Sequence, residues 1–401
     1  MLDRVCLGQI PRKHHTVLRD EAGQVLYEHC LTRQGFEGAY SISYHRSLPP
    51  RDIAHRSAQL AADPEAYFDE GLRRRHLKGQ ELASGEPGGG DHLATRRMLL
   101  CNSDVAIGLC RPTASAPRYF ANGDGDELYY VHSGRGRIES VFGPLPYGPG
   151  DYLLIPRGTV YRVVPATAPE EPLPLWLIIE GRRYLEIPKQ FRNPFGQLRM
   201  DAPYCHRDFR RPSELPAPSG ADFTPGHYPI LIKRGGSYHE IVRDCDPLDT
   251  VGWDGCVYPI ALSIHDYQAK VGRVHLPPTT FTTFAGGGFV VCSFVPRPLD
   301  YDKEAIPCPY PHSSPDCDEV IFYCSGNFTS RRGIGPGSIS HHPMGIPHGP
   351  QPGAYEASIG AVRTDELAVM IDTAQPLGLT ADARTIDDPA YHDSWQGNRR
   401  R

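Results

Sequence analysis

The stretch "GSISHHPMGIPH", residues 337–348, decides the fold because its spacing occurs twice in the chain. Laid over "GDYLLIPRGTVY", residues 150–161, it sets Gly337 on Gly150, Pro343 on Pro156, Gly345 on Gly158 and His348 on Tyr161. Upstream the match continues. Six residues separate Glu319 from Gly326, and six separate Glu127 from Gly134. The grid has a backbone cause, since Pro fixes φ and Gly accepts positive φ; together they mark a strand, a tight turn and a return. Two such units read as one ancestral β unit, duplicated.

Outward from these units the chain consists of short apolar runs, each closed by Gly, Pro or Asp. "LYYVHSG", "DYLLIPRG" and "PLWLIIEG" surround the first copy; "FTTFAGGGFVVCSFVPR", "EVIFYCSGNF" and "ELAVMIDT" surround the second. Gly and Pro make up about a fifth of the 401 residues and are spread as punctuation. That pattern predicts a protein dominated by β-strands. Helical recurrence is confined to 51–78, where Ala, Leu and Tyr return at three- and four-residue steps, so an early helical segment is expected there. Residues 186–228, rich in Pro, Arg and Asp, read as an irregular excursion that something must cover. The polar tail from about 380 is expected to wrap a surface or fray. The expected division is an N-terminal domain over 1–252, with the degenerate unit at about 98–185, and a catalytic C-terminal domain over 253–401.

Charge and cysteine usage narrow the function. The net charge is −5, and no basic block exceeds the terminal Arg399–Arg401. Nucleic acid and anionic membranes are therefore not expected as partners. No apolar run is long enough to span a bilayer, and the opening "MLDRVCLGQIPRKHH" has no apolar leader core. Eleven cysteines without a Cys-x-x-Cys pair are expected to be reduced thiols, which points to the cytoplasm.

The spacing resembles that of the cupin family, which implies two jelly-roll β-barrels. In the second copy His312, Glu319 and His348 stand at ligand positions, while Ser314 replaces one motif histidine. In the first copy Phe120, Asn122 and Tyr161 stand where the histidines would be, so that unit is expected to be metal-free. Any one of His312, Glu319 and His348 taken alone reads as an ordinary loop or strand residue. Together, two imidazoles and one carboxylate can hold one face of an octahedral metal and leave three positions open, a donor set suited to Fe(II) oxygenase chemistry. His341 and His342 are neighbours on a strand and must face opposite sides of it, so only one of them looks into the barrel.

Beyond the motif, "RVHLPPTTFTTF", "PCPYPHSSPDCDEVIFYCSGNFTSRRG", "GSISHHPMGIPHGPQPG" and "YEASIGAVRTDELAVMIDT" are similar to the homogentisate 1,2-dioxygenase family, as are "GQIPRKHHT" and "GFEGAYSISYH". The resemblance implies Fe(II) on His312, Glu319 and His348, and extradiol-type ring opening with both atoms of O2 entering the product. It implies an active-site base at His275, with His342 as the other candidate, and a substrate pocket that includes His342, His348, Phe328 and Arg331. Phe328 stands where many members have Tyr, and Arg331 where they have Lys. The implied reaction is conversion of homogentisate to maleylacetoacetate in tyrosine and phenylalanine breakdown, by a homo-oligomer of trimers or hexamers. A gentisate-like or other hydroquinone substrate remains open, as does another metal-dependent cupin activity such as isomerisation. A non-catalytic binding bicupin is the reading from a different class.

Overall fold

Two eight-residue strands that open on the same dipeptide organise the molecule, Asp126–Ser133 (DELYYVHS) and Asp318–Ser325 (DEVIFYCS). The computed structural model describes residues 3–396 except 59, 61, 69–70, 83–88, 167–171, 220–221 and 329–332. Side chains alternate along a strand, so each of the two shows one face to its own barrel and the other to its sister. Tyr129 points inward with Glu127, and their side chains are hydrogen-bonded at 2.9 Å. Tyr130 and His132 point the other way, onto the Phe322 ring at 6.1 and 5.4 Å. The two barrels therefore pack back to back. Tyr152 and Ser293 join them with a buried hydroxyl–hydroxyl bond of 2.8 Å.

The duplication extends to the hydrogen-bond ladder. Glu127 pairs with Glu180 on Leu175–Gly181, and Glu319 pairs with Asp372 on Leu367–Thr373. Both ladders slip at the same step, between Val131 and Ser133 and between Tyr323 and Ser325. Phe120 pairs with Tyr161, as His312 pairs with His348. Asp126 accepts the backbone N–H groups of Arg157 and Leu185, and Asp318 those of Met344 and Leu377. Gly158 and Gly345 turn the chain at φ of 81° and 85°, a region that strains any residue bearing a Cβ.

In the first barrel an eight-stranded and a seven-stranded sheet enclose a core to which Tyr129, Leu153 and Trp176 contribute from one side and Phe120, Ile138 and Leu231 from the other. The second barrel is built on a six-stranded sheet. Strands cross between the units. Arg75–Leu77 pairs with Ile339–His342, Gly378–Leu379 pairs with Arg97–Cys101, and Ile260–Ser263 pairs with Asp151–Ile155. A separate five-stranded sheet carries Val5–Gly8 and Thr250–Gly255. All eleven thiols are free.

The early helical segment is corrected. The described residues of 51–78 form no helix; they hold the strands Asp52–Ser57 and Arg75–Leu77. The first pairs with Ser237–Arg243 with all its side chains exposed, and the second lies buried on the second barrel's sheet. Open sheet edges supplied backbone partners for both stretches, and helix propensity is too weak a preference to compete with such a ladder. Among the described residues the two α-helices, Ala354–Ser358 and Ala381–Thr385, have five residues each. The 186–228 excursion is irregular; Phe191, Tyr204, Phe209 and Phe223 are buried against the rest of the chain, while Phe195 and Met200 are exposed. The tail wraps: Tyr391 is buried behind the second barrel's centre. Among the described residues no helix is long and apolar enough to cross a membrane.

Candidate metal centre

His312, Glu319 and His348 converge inside the second barrel. Nε2 of His312 and Nε2 of His348 lie 3.9 and 3.8 Å from Oε2 of Glu319, and one donor atom from each of the three falls within 4.8 Å of the others. Nδ1 of each histidine faces the carbonyl two residues back, Tyr310 and Ile346, both at 3.2 Å. A carbonyl only accepts, so each Nδ1 carries the proton and each Nε2 lone pair is turned to the centre. His348 Nε2 is buried with no hydrogen-bond partner. An orphaned imidazole lone pair beside a second one and a carboxylate fits a divalent cation, which would satisfy all three.

The carboxylate is held from behind. His342 Nδ1 sits 2.7 Å from Oε1 of Glu319, and its ring stacks on His348 at 5.0 Å. Burial pushes the Glu319 carboxyl up, but the imidazoles of His342 and His348 outweigh it and hold the group well below the ordinary carboxylate range. His341, on the opposite face of the strand, bonds Asp318 at 2.8 Å. Asp372, across the ladder from Glu319, is pushed up to about 7 by burial, with the Glu319 charge adding to it. The C-terminal tail and Arg74 secure the loop that carries His348. Trp395 Nε1 donates to the Gly349 carbonyl at 3.3 Å, Arg74 Nε donates to that of Pro347 at 3.1 Å, and Gln351 bonds Ser394.

The centre opens on a cavity of about 480 Å³ whose wall includes His275, Arg297, His312 and Glu319 among apolar side chains such as Phe281 and Ile321. His275 is half-buried, edge-on to the Tyr310 ring at 5.1 Å. Burial, then the Arg297 and His312 charges, hold its imidazole below the ordinary value against the pull of Asp300. Of the residues expected at the substrate, His348 belongs to the centre itself. His342 lies behind Glu319, outside the cavity wall. Phe328 is also outside it, buried against the Tyr323 ring at 4.8 Å. Arg331 lies outside the described residues.

The corresponding place in the first barrel holds a different chemistry. Glu127 accepts hydrogen bonds from Tyr161 at 2.7 Å and from Tyr129, and it pairs with the buried Arg96 guanidinium. Lys233 Nζ sits 2.7 Å from Glu180, the register equivalent of Asp372. Sequence reasoning did not single out Arg96, Asp372, Tyr391 or Arg297. For Asp372 a signal existed, since both "LWLIIEG" and "LAVMIDT" carry an acid in an otherwise apolar strand.

The description "Homogentisate 1,2-dioxygenase N-terminal" matches residues 92–264. A protein of Saccharolobus solfataricus described as a "putative dioxygenase" is 38% identical over 391 residues, covering 97% of each chain. Homogentisate 1,2-dioxygenases of Bradyrhizobium diazoefficiens and Sinorhizobium fredii are 28% and 29% identical over 71% of this chain. Those matches cover 64% and 63% of the two enzymes, under two thirds of their length. Among solved structures, a cupin 2 conserved barrel domain protein from Leptotrichia buccalis aligns with 76% of this chain and 99% of its own at 11% identity, with a TM-score of 0.35.

Proposed function

Since this chain belongs to the homogentisate 1,2-dioxygenase family, we propose that it is an Fe(II) dioxygenase that opens the ring of homogentisate or a closely related para-diol. The observation that carries the reading is the convergence of His312, Glu319 and His348, with His312 and Glu319 lining a 480 Å³ cavity. A cavity of that size suits a small aromatic ligand. His312, Glu319 and His348 would hold the ion. Bound there, ferrous iron would supply the redox and Lewis-acid chemistry that the reaction of a diol with dioxygen needs.

The chain's own residues do the rest. A phenol has a pKa of about 10 and loses its proton slowly near neutrality unless a base is in reach. His275, kept neutral by burial, is available to accept that proton at the cavity wall. His342 holds Glu319 in orientation and leaves Oε2 for the ion. Phe281, Phe294 and Ile321 provide an apolar surface for the ring. The bond opened lies between the ring carbon bearing the side chain and its hydroxylated neighbour. Both oxygen atoms enter the product, which for homogentisate is maleylacetoacetate. Anaerobic loading with Fe(II), followed by oxygen-uptake measurements over a panel of para-diols, tests this. Uptake with homogentisate or a close analogue is expected, and a loaded protein that consumes oxygen with no member of the panel would refute it.

A further inference from the structure

Arg297 is a half-buried cation with no carboxylate partner among the described residues. It lies on the short strand Arg297–Pro298, paired with Arg363–Thr364, at the wall of the cavity that holds the candidate metal centre. Its guanidinium carbon sits 4.7 Å over the Phe281 ring, and Nη1 donates to the Val295 carbonyl at 3.2 Å. Among the described residues no carboxylate oxygen comes within 4.0 Å of it, and Nε and Nη2 have no protein acceptor. The fully buried arginines are all paired with carboxylates. Arg75 pairs with Asp387, Arg96 with Glu127, and Arg162 with Glu139 and Asp222. An unpaired guanidinium at the wall of a cavity fits a site whose anion arrives with the ligand. Asp300 and Glu366 are near enough to raise the Arg297 pKa, but burial dominates and lowers it.

We propose that Arg297 is the anion-holding residue of this cavity, gripping the side-chain carboxylate of an aromatic para-diol through Nε and Nη2 while the ring lies against Phe281. The inference rests on the ring-opening reading for the identity of the ring, and what it adds is the residue that meets the ligand's acid group. The geometry suits it: a guanidinium offers two parallel N–H donors to one carboxylate, and its contact with the Phe281 ring at 4.7 Å holds it at the cavity wall. Arg297 is a specificity residue in this account. It touches the substrate's carboxylate and not the reacting carbons.

The test compares wild type, Arg297→Met and Arg297→Lys, each loaded with Fe(II) and checked for iron content. The probes are 2,5-dihydroxyphenylacetate and its methyl ester, measured by anaerobic equilibrium binding and by oxygen uptake. Arg297→Met should weaken binding of the acid by about 10–100-fold, as expected for losing charged hydrogen bonds, and leave the ester within about threefold. Arg297→Lys should recover part of the loss. Equal losses on acid and ester, or no loss on the acid, would overturn the assignment. If wild type binds the acid more tightly than the ester in an Arg297-dependent way yet consumes no oxygen, the ring-opening reading falls and the role of Arg297 stands.

Discussion

His342 Nδ1 lies 2.7 Å from one oxygen of Glu319, and the other oxygen faces the Nε2 atoms of both His312 and His348. One imidazole thus sets the orientation of the carboxylate for two others. Removing such an outer partner typically costs 10–100-fold in metal affinity. His342→Ala is therefore expected to fold and to bind Fe(II) or Co(II) about 10–100-fold more weakly, measured by titration. His342→Asn, which can still present an N–H to Glu319, should lose less. Unchanged affinity in both variants would mean that the contact is incidental.

In the first barrel the Arg96 guanidinium meets Glu127 where a metal would meet Glu319 in the second. Breaking a buried ion pair by removing one partner costs about 3–5 kcal/mol. Arg96→Ala should lower stability by that order in denaturant titration, and a joint Arg96→Leu, Glu127→Leu replacement should recover much of it. Metal analysis of the wild type should give about one ion per chain. A value near two would contradict the division of roles between the barrels.

The grid of Gly150, Pro156 and Gly158 against Gly337, Pro343 and Gly345 was legible because turns impose local backbone demands that only Gly and Pro meet. The triad was legible for the same reason, since the grid carries Glu319 and His348 at set distances from its turns. Arg96 was not legible. It lies 31 residues from Glu127, outside the repeat, and only the folded barrel brings the two together. Arg75–Leu77 and Gly378–Leu379 cross between the units, which no local pattern could foretell. The segment 51–78 misled because its spacing of Ala, Leu and Tyr met helical periodicity while its backbone was claimed by sheet edges. Tyr391 stacks on His342 from 49 residues away, in a tail whose composition is polar.

His92 ties stability to pH. It is buried between Phe120 and Tyr161, with both ring nitrogens unpartnered, and burial lowers its pKa to about 4. Asp91 and Glu127 pull the value up, and Arg96 pushes it down. The folded pKa lies below the unfolded value of about 6.5, so the unfolded chain binds more protons between these two pH values. Stability is full above about pH 6.5 and falls as pH drops toward 4, by on the order of 3 kcal/mol from this group. His92→Phe should flatten the dependence of Tm on pH across that window relative to wild type. Parallel curves would exclude His92 as the source.

His275 borders the cavity beside Arg297 and the Tyr310 ring. General-base assistance is worth about 10²–10⁴-fold. His275→Ala should keep its iron and lose turnover on that order, with partial recovery at higher pH as the diol ionises unaided. Loss of iron instead would make His275 a support of the centre, and the base would have to be another group.

Isotope labelling reports whether this chain opens an aromatic ring with dioxygen. Ferrous-loaded protein is given homogentisate under ¹⁸O₂, and the product is weighed by mass spectrometry. A ring-opened product carrying two labelled oxygen atoms is expected from the wild type, and no such product from His348→Ala or Glu319→Ala. A product with one labelled atom or none, or ring opening that persists in either variant, would contradict the ring-opening reading.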